Sequence, residues 1–332
     1  MFHTRRDWGL KNRWLAAAMV LSLLPLASLH AQSRAEKPIN VGTLESASPR
    51  PASEAVVDRP DEKIEPSHRF EFAAHAANGV AMRNRTSGTI HLRGIPIRST
   101  PLRAMLYFNF SDGSREGRDS SPVLFNGNVV TAQKTGDHDD PCWGQVGNHS
   151  YVADVTAFMP ISGALNQDYD VVIPFDDTTS TTGQNPWSPF TNQNVLMEGA
   201  TLVVIYRSSD TTGAVYLYDA LSNAMFAGTA TFTLTHGTHT SPGLFTMVGA
   251  DGQRGNTGHD NTVSNELTFF NGTQIAGPPV ASSDWDGSDG WPLVQLWDTH
   301  THIVKLEGEA SQVTYQANGD CLVPVAFVID AD

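Results

Sequence analysis

Ala200-Thr201-Leu202-Val203-Val204-Ile205-Tyr206 carries a single polar side chain and is rich in β-branched and aromatic residues. Such residues lose rotamer freedom in a helix and pack well on a pleated surface. The run is far short of the roughly 20 residues a membrane helix needs, and Arg207-Ser208-Ser209-Asp210 closes it with turn formers. It reads as a strand covered on both faces, which requires a protein of at least two packed sheets. Leu322-Val323-Pro324-Val325-Ala326-Phe327-Val328-Ile329 is its counterpart near the end. Pro324 cannot donate to a ladder, so that strand is either kinked at the proline or lies at an edge.

Outward from these runs the texture stays the same. Met105-Leu106-Tyr107-Phe108-Asn109-Phe110 alternates as a strand with one drier face does. Short runs of this kind recur from about residue 89 to residue 329, separated by Gly, Asn, Asp, Ser and Pro, and no long stretch has a helical period. The expectation is an all-β chain, a β-sandwich or jelly-roll-like fold. Phe125-Asn126-Gly127-Asn128 carries the strongest two-residue hairpin signal, since Asn and Gly tolerate positive φ. Phe270-Asn271-Gly272-Thr273 repeats it 145 residues later, a spacing that points to two related halves.

The beginning of the chain is different. Arg5, Arg6, Lys11 and Arg13 precede an apolar run from Trp14 to Leu29, and Ala31 stands where a signal peptidase cuts. Residues 1–31 read as a signal peptide, and the protein as secreted, periplasmic or displayed at the cell surface, with no membrane span after cleavage. Residues 32–68, rich in Pro, Ser, Ala and acid, read as a flexible leader that cannot bury enough surface to order itself. Residues 69–332 form the β-sandwich domain. Cleavage removes four cations and one anion and takes the net charge from −14 to −17. Such a balance argues against a nucleic-acid partner. Cys142 and Cys321 are the only cysteines, and an oxidising compartment favours their pairing.

The strands at 104–108, 123–127 and 151–156, then Glu198-Gly199 leading into 200–206, then Leu296-Trp297-Asp298-Thr299 and Asp320-Cys321-Leu322, resemble a group of uncharacterised secreted jelly-roll-like β-sandwich modules from bacterial and archaeal surface and extracellular proteins. The resemblance spans roughly residues 85 to 330 and implies an exported module without an assigned reaction. The sequence carries neither a repeat stalk nor a sorting tail after it, which favours a small secreted or periplasmic protein over an anchored adhesin.

The chemistry is sparse. There is no Gly-x-Ser-x-Gly elbow, no His-Glu-x-x-His and no phosphate loop. His300 and His302 share one face if their segment is a strand, so two ligands could meet a third from elsewhere. Glu307 and Glu309 form the nearest approach to a paired-carboxylate hydrolase. Trp187, Trp285 and Trp291 stand in polar surroundings, where they either stack on sugars or seal the sandwich ends. Asp284-Trp285-Asp286-Gly287-Ser288-Asp289-Gly290 has three carboxylates on a glycine-bent loop, and Asp251 lies in Ala250-Asp251-Gly252-Gln253. Asp251, Asp284, Asp286 and Asp289 are either structural calcium ligands or a solvated acidic turn. The leading expectation is a non-enzymatic structural or interaction module of the envelope, with a glycan or an envelope protein as partner. The alternatives are a carbohydrate-binding module using the loop tryptophans and calcium, and a secreted hydrolase whose site is unassigned.

Overall fold

The computed structural model describes residues 61–82, 85–140, 145–161, 164–174, 195–219, 221, 225, 228–239, 241–253, 265–290 and 295–331. Its strands are β1 (Glu62–Ile64), β2 (His68–Glu71), β3 (Ala74–Ala81), β4 (Ser87–His91), β5 (Thr100–Asp112), β6 (Ser120–Phe125), β7 (Asn128–Asp139), β8 (Gly147–Asp154), β9 (Asp168–Val172), β10 (Val195–Arg207), β11 (Ala214–Tyr218), β12 (Thr229–His239), β13 (Pro242–Gln253), β14 (Leu267–Phe270), β15 (Thr273–Ala276), β16 (Gln295–Lys305), β17 (Gly308–Gln316) and β18 (Val323–Ala331). Helical structure among the described residues is limited to two 3-10 turns, Thr156–Phe158 and Ser288–Gly290. The chain is all-β. No helix among the described residues is long and apolar enough to cross a membrane.

The strands build two sandwiches. In the first, eight strands in the order β3-β10-β5-β8-β7-β6-β9-β4 form one sheet. That sheet curls until its two edges meet, with Gly88 of β4 against Val80 of β3. Phe108, Phe125, Tyr151, Tyr169 and Leu202 fill its interior. In the second, β1-β12-β17-β14-β15 faces β16-β13-β18-β11-β2. Phe232, Phe245, Phe270, Trp285, Tyr315 and Phe327 pack between the two sheets.

Each sandwich contains one Phe-Asn-Gly hairpin, joining β6 to β7 and β14 to β15. Asn126 and Gly127 have φ of 47° and 76°, and Asn271 and Gly272 have 47° and 75°. Both central residues at positive φ match the right-handed twist of the flanking strands, which is why Asn-Gly is selected there.

The sandwiches stack sheet against sheet. Tyr107, Val203 and Ile205 on the outer face of the first meet Val215, Val248, Trp297, Val325 and Val328 on the outer face of the second. β10 and β18 are therefore covered on both sides, and every residue of each is buried except Arg207. Pro324 lies in a central strand, not an edge: the β13–β18 register slips between Val248 and Gly249, beside the proline, and the bulge spares the missing donor. β1 falls inside the stretch read as a leader. It is ordered because Glu62, Lys63 and Ile64 pair in parallel with Phe232, Thr233 and Leu234, and Ile64 enters the core.

Candidate functional site

The seam between the sandwiches is apolar at one end and polar along the rest. Trp297 Nε1 donates to Thr201 Oγ1 at 2.8 Å, and Thr201 meets Thr299 at 2.6 Å. Further along, Asp330 Oδ2 accepts both the backbone amide and Nδ1 of His75, while His75 Nε2 lies 2.7 Å from Thr246 Oγ1. These bonds cross from β3 and β10 to β13, β16 and β18 and fix how the two sheets sit.

Two bulges place carboxyl groups in this seam. On β10, Met197 pairs with Phe110 and Gly199 with Asn109, so Glu198 is the extra residue of the bulge. Its side chain leaves the normal alternation and is fully buried. On β13 the register with β16 slips between Ala250 and Gln253, and Asp251 adopts φ 75°. Aspartate tolerates that conformation better than most residues. The backbone amide of Asp251 donates to the Glu198 carboxyl. Bulges of this kind re-aim side chains, and they are frequent beside active sites.

Around Glu198 the first sandwich supplies amides and hydroxyls. Asn148 Nδ2 donates to Glu198 Oε1 at 3.1 Å and to Ser111 Oγ at 3.0 Å. Asn109 Nδ2 in turn donates to Asn148 Oδ1 and Ser150 Oγ. Ser111 Oγ donates to Asp140 Oδ1. Glu198 Oε2 has no hydrogen-bond partner among the described residues. Burial, reinforced by the charges of Asp251 and Asp140, pushes the Glu198 carboxyl well above the usual carboxylate range. It therefore keeps its proton to higher pH than an exposed glutamate does.

The carboxylates continue into the second sandwich. Asp320 is raised by burial and by the charges of Glu266, Asp251 and Asp298, and burial lifts Glu266 to about 7. Asp298, buried on β16, is pushed up to about 6 by burial, with Asp286 adding to the effect. It accepts the amides of Gly287 and Ser288 at 3.0 and 2.9 Å. Burial opposes the charge on His300, but its hydrogen bond to Asp298 and the fields of Asp284, Asp298 and Asp286 prevail and raise it to about 10. His302 Nε2 meets Asp284 Oδ1 at 2.7 Å. Asp289 is lifted to about 7 by burial and by Asp298.

Asp284, Asp286 and Asp289 do converge, around His300 and Asp298, whereas Asp251 lies further along the line toward Glu198. His300 and His302 do share one face of β16. Trp285 is not a binding surface: it is fully buried, edge-on to Tyr315 at 5.2 Å, with Gly249 making room for its ring. Trp187 and Trp291 lie outside the described residues. Cys321 is fully buried and no cysteine among the described residues is free; Cys142 lies outside them. Glu307 and Glu309 are exposed and take no part in the line. Glu198, Asp298, Glu266 and Asp320 were not singled out from sequence as site residues. The available signal was Leu196-Met197-Glu198-Gly199-Ala200, where a lone carboxylate interrupts an apolar run.

No protein-family description matches the chain, and no curated protein does. Solved structures do align with it. One is a peptide-N(4)-(N-acetyl-β-D-glucosaminyl) asparagine amidase, 14% identical, covering 78% of this chain and 96% of that one with a TM-score of 0.25. Another is recombinant peptide:N-glycanase F, 13% identical over 79% and 96%, with a TM-score of 0.26. Both of these structures are of a glycan-releasing amidase, and neither is a surface module. The expected membership of uncharacterised jelly-roll surface modules is withdrawn, together with the non-enzymatic structural role it implied. At these scores the likeness assigns no residue a role.

Proposed function

We propose that this chain is an exported hydrolase of the general acid–base type acting on a glycan-bearing substrate, with Glu198 as proton donor and Asp251 as proton acceptor. The observation that carries the reading is Glu198: a fully buried carboxyl on a bulge, held by Asn148 and the Asp251 amide through one side, with Oε2 unpartnered among the described residues. A buried carboxylate oxygen left without a hydrogen-bond partner calls for an explanation, and a role in function is one. A carboxyl held protonated beside a second carboxyl supplies an acid next to a candidate base. In hydrolysis the oxygen of water bonds to the electrophilic carbon, Asp251 takes the water's proton, and Glu198 gives its own to the departing nitrogen or oxygen.

The glycan comes from the aromatic residues next to the line in sequence. Trp143 follows Asp140 by three residues, Trp291 follows Asp289 by two, and Trp187 precedes Glu198 by eleven. Indole faces stack on sugar rings. Export is supported by the order of cationic, apolar and small residues in 1–31.

The test is a panel of glycosides, esters and glycosylated asparagine peptides, the last included because the aligned amidase is named for that linkage. At least one class is expected to be turned over, with Glu198→Gln reducing the rate on the order of a thousandfold and not lowering the melting temperature. Full activity in Glu198→Gln, or no turnover of any class, overturns the proposal.

A further inference from the structure

Asp286, Asp298 and His300 each turn one ligand atom toward a common point, with all three atoms within 4.8 Å of one another. Their scaffold is independent of the Glu198 bulge. Asp298 and His300 are two apart on β16 and so share a face, while Asp286 comes from the bend before the 3-10 turn, where Gly287 takes φ 64°. The amides of Gly287 and Ser288 hold the Asp298 carboxylate in place. His300 Nε2 lies 3.3 Å from Asp298 Oδ1 and 3.8 Å from Asp286 Oδ1.

A second observation points to a ligand. Asp284 is 1% exposed, sits beside the same imidazole, and its Oδ2 has no partner among the described residues. Asp286 Oδ1 and Asp289 Oδ2 are likewise buried without a hydrogen-bond partner among the described residues. Three unsatisfied carboxylate oxygens around one imidazole are costly to desolvate unless a cation completes them.

We infer that Asp286, Asp298 and His300 form a divalent-cation site, with the buried Asp284 carboxylate beside it adding negative charge. The imidazole decides the class of ion: calcium and magnesium take oxygen donors, whereas one nitrogen with carboxylates suits zinc or manganese. Three protein donors leave one position open, as in zinc sites that keep a water or substrate ligand. The ion would join the Ser288–Gly290 turn to β16 and so brace the end of the seam.

The full exported chain, stripped with a chelator and dialysed, is titrated by calorimetry with zinc, manganese and calcium chloride, and its cobalt adduct is read by visible absorption. One zinc or manganese ion per chain is expected, with a cobalt spectrum that reports a nitrogen donor. His300→Ala is expected to weaken zinc on the order of a hundredfold and Asp286→Asn at least tenfold. Glu198→Gln is expected to bind the ion unchanged, which separates failure here from failure of the hydrolase proposal. Absence of binding at millimolar metal, binding of calcium alone, or affinity unchanged in Asp286→Asn overturns the assignment, and Asp286→Asn keeps it testable should His300→Ala not fold.

Discussion

The Asp251 amide donates to the Glu198 carboxyl, so a bulge in one sandwich is tied directly to a bulge in the other. Each bulge turns a carboxyl away from its own core and into the seam. The tie also means that the two acids cannot be displaced separately.

Glu198→Gln keeps an oxygen for the Asp251 amide and Asn148 while removing the group that repels Asp251 and Asp140. The folded carboxyl is raised, so its unfavourable effect grows as the pH rises above the unfolded value. The variant is expected to be as stable as the parent in acid and more stable at pH 8, by on the order of 2 kcal/mol. Urea melts at the two pH values measure this; a variant less stable at pH 8 counts against a protonated Glu198.

Glu266 gives a pH dependence with a defined window. Burial raises its carboxyl from 4.5 to about 7, so the folded state binds the proton more tightly than the unfolded state does. Its contribution is fully present below about 4.5 and is lost as pH rises through about 7. At 1.36 kcal/mol per unit the loss is at most roughly 3 kcal/mol. Glu266→Gln is expected to flatten the stability profile between these limits, as read from denaturant midpoints across pH 4 to 8.

Gly199 follows the β10 bulge and faces Trp297 at a distance that leaves no space for a methyl group, since an added Cβ would overlap the indole. In most strands Gly→Ala stabilises; here Gly199→Ala is expected to destabilise by about 1–3 kcal/mol through overpacking and to shift the tryptophan fluorescence. A stabilised variant with an unchanged spectrum contradicts the packing described for the seam.

Asp330 accepts two bonds from His75 across the seam, at 3.1 Å from the amide and 3.0 Å from Nδ1. Asp330→Ala leaves both donors buried and unpaired, which costs about 1–3 kcal/mol for each. The expected result is a lower urea midpoint with the slope retained. A midpoint within experimental error of the parent shows that the His75 relay does not hold the sandwiches together.

The all-β class of the fold is legible in the sequence. Val203-Val204-Ile205 and the Phe-Asn-Gly turns act locally, through rotamer entropy and positive φ, and such preferences do not depend on what lies across the chain. The same locality made His300 and His302 legible as neighbours on one strand face, and Asp284, Asp286 and Asp289 as a cluster. The tertiary structure alone decided that Trp285 is core, that β10 is covered by a second sandwich and not only by its own, and that Glu198 faces Asp251, 53 positions away. These follow from two bulges and from the stacking of two sheets. A bulge shifts every later side chain by one face, and sequence alternation carries no record of where the register slips. Burial then changes the chemistry of the acids. A carboxyl takes its proton affinity from its surroundings, and those surroundings exist only once strands distant in sequence have packed.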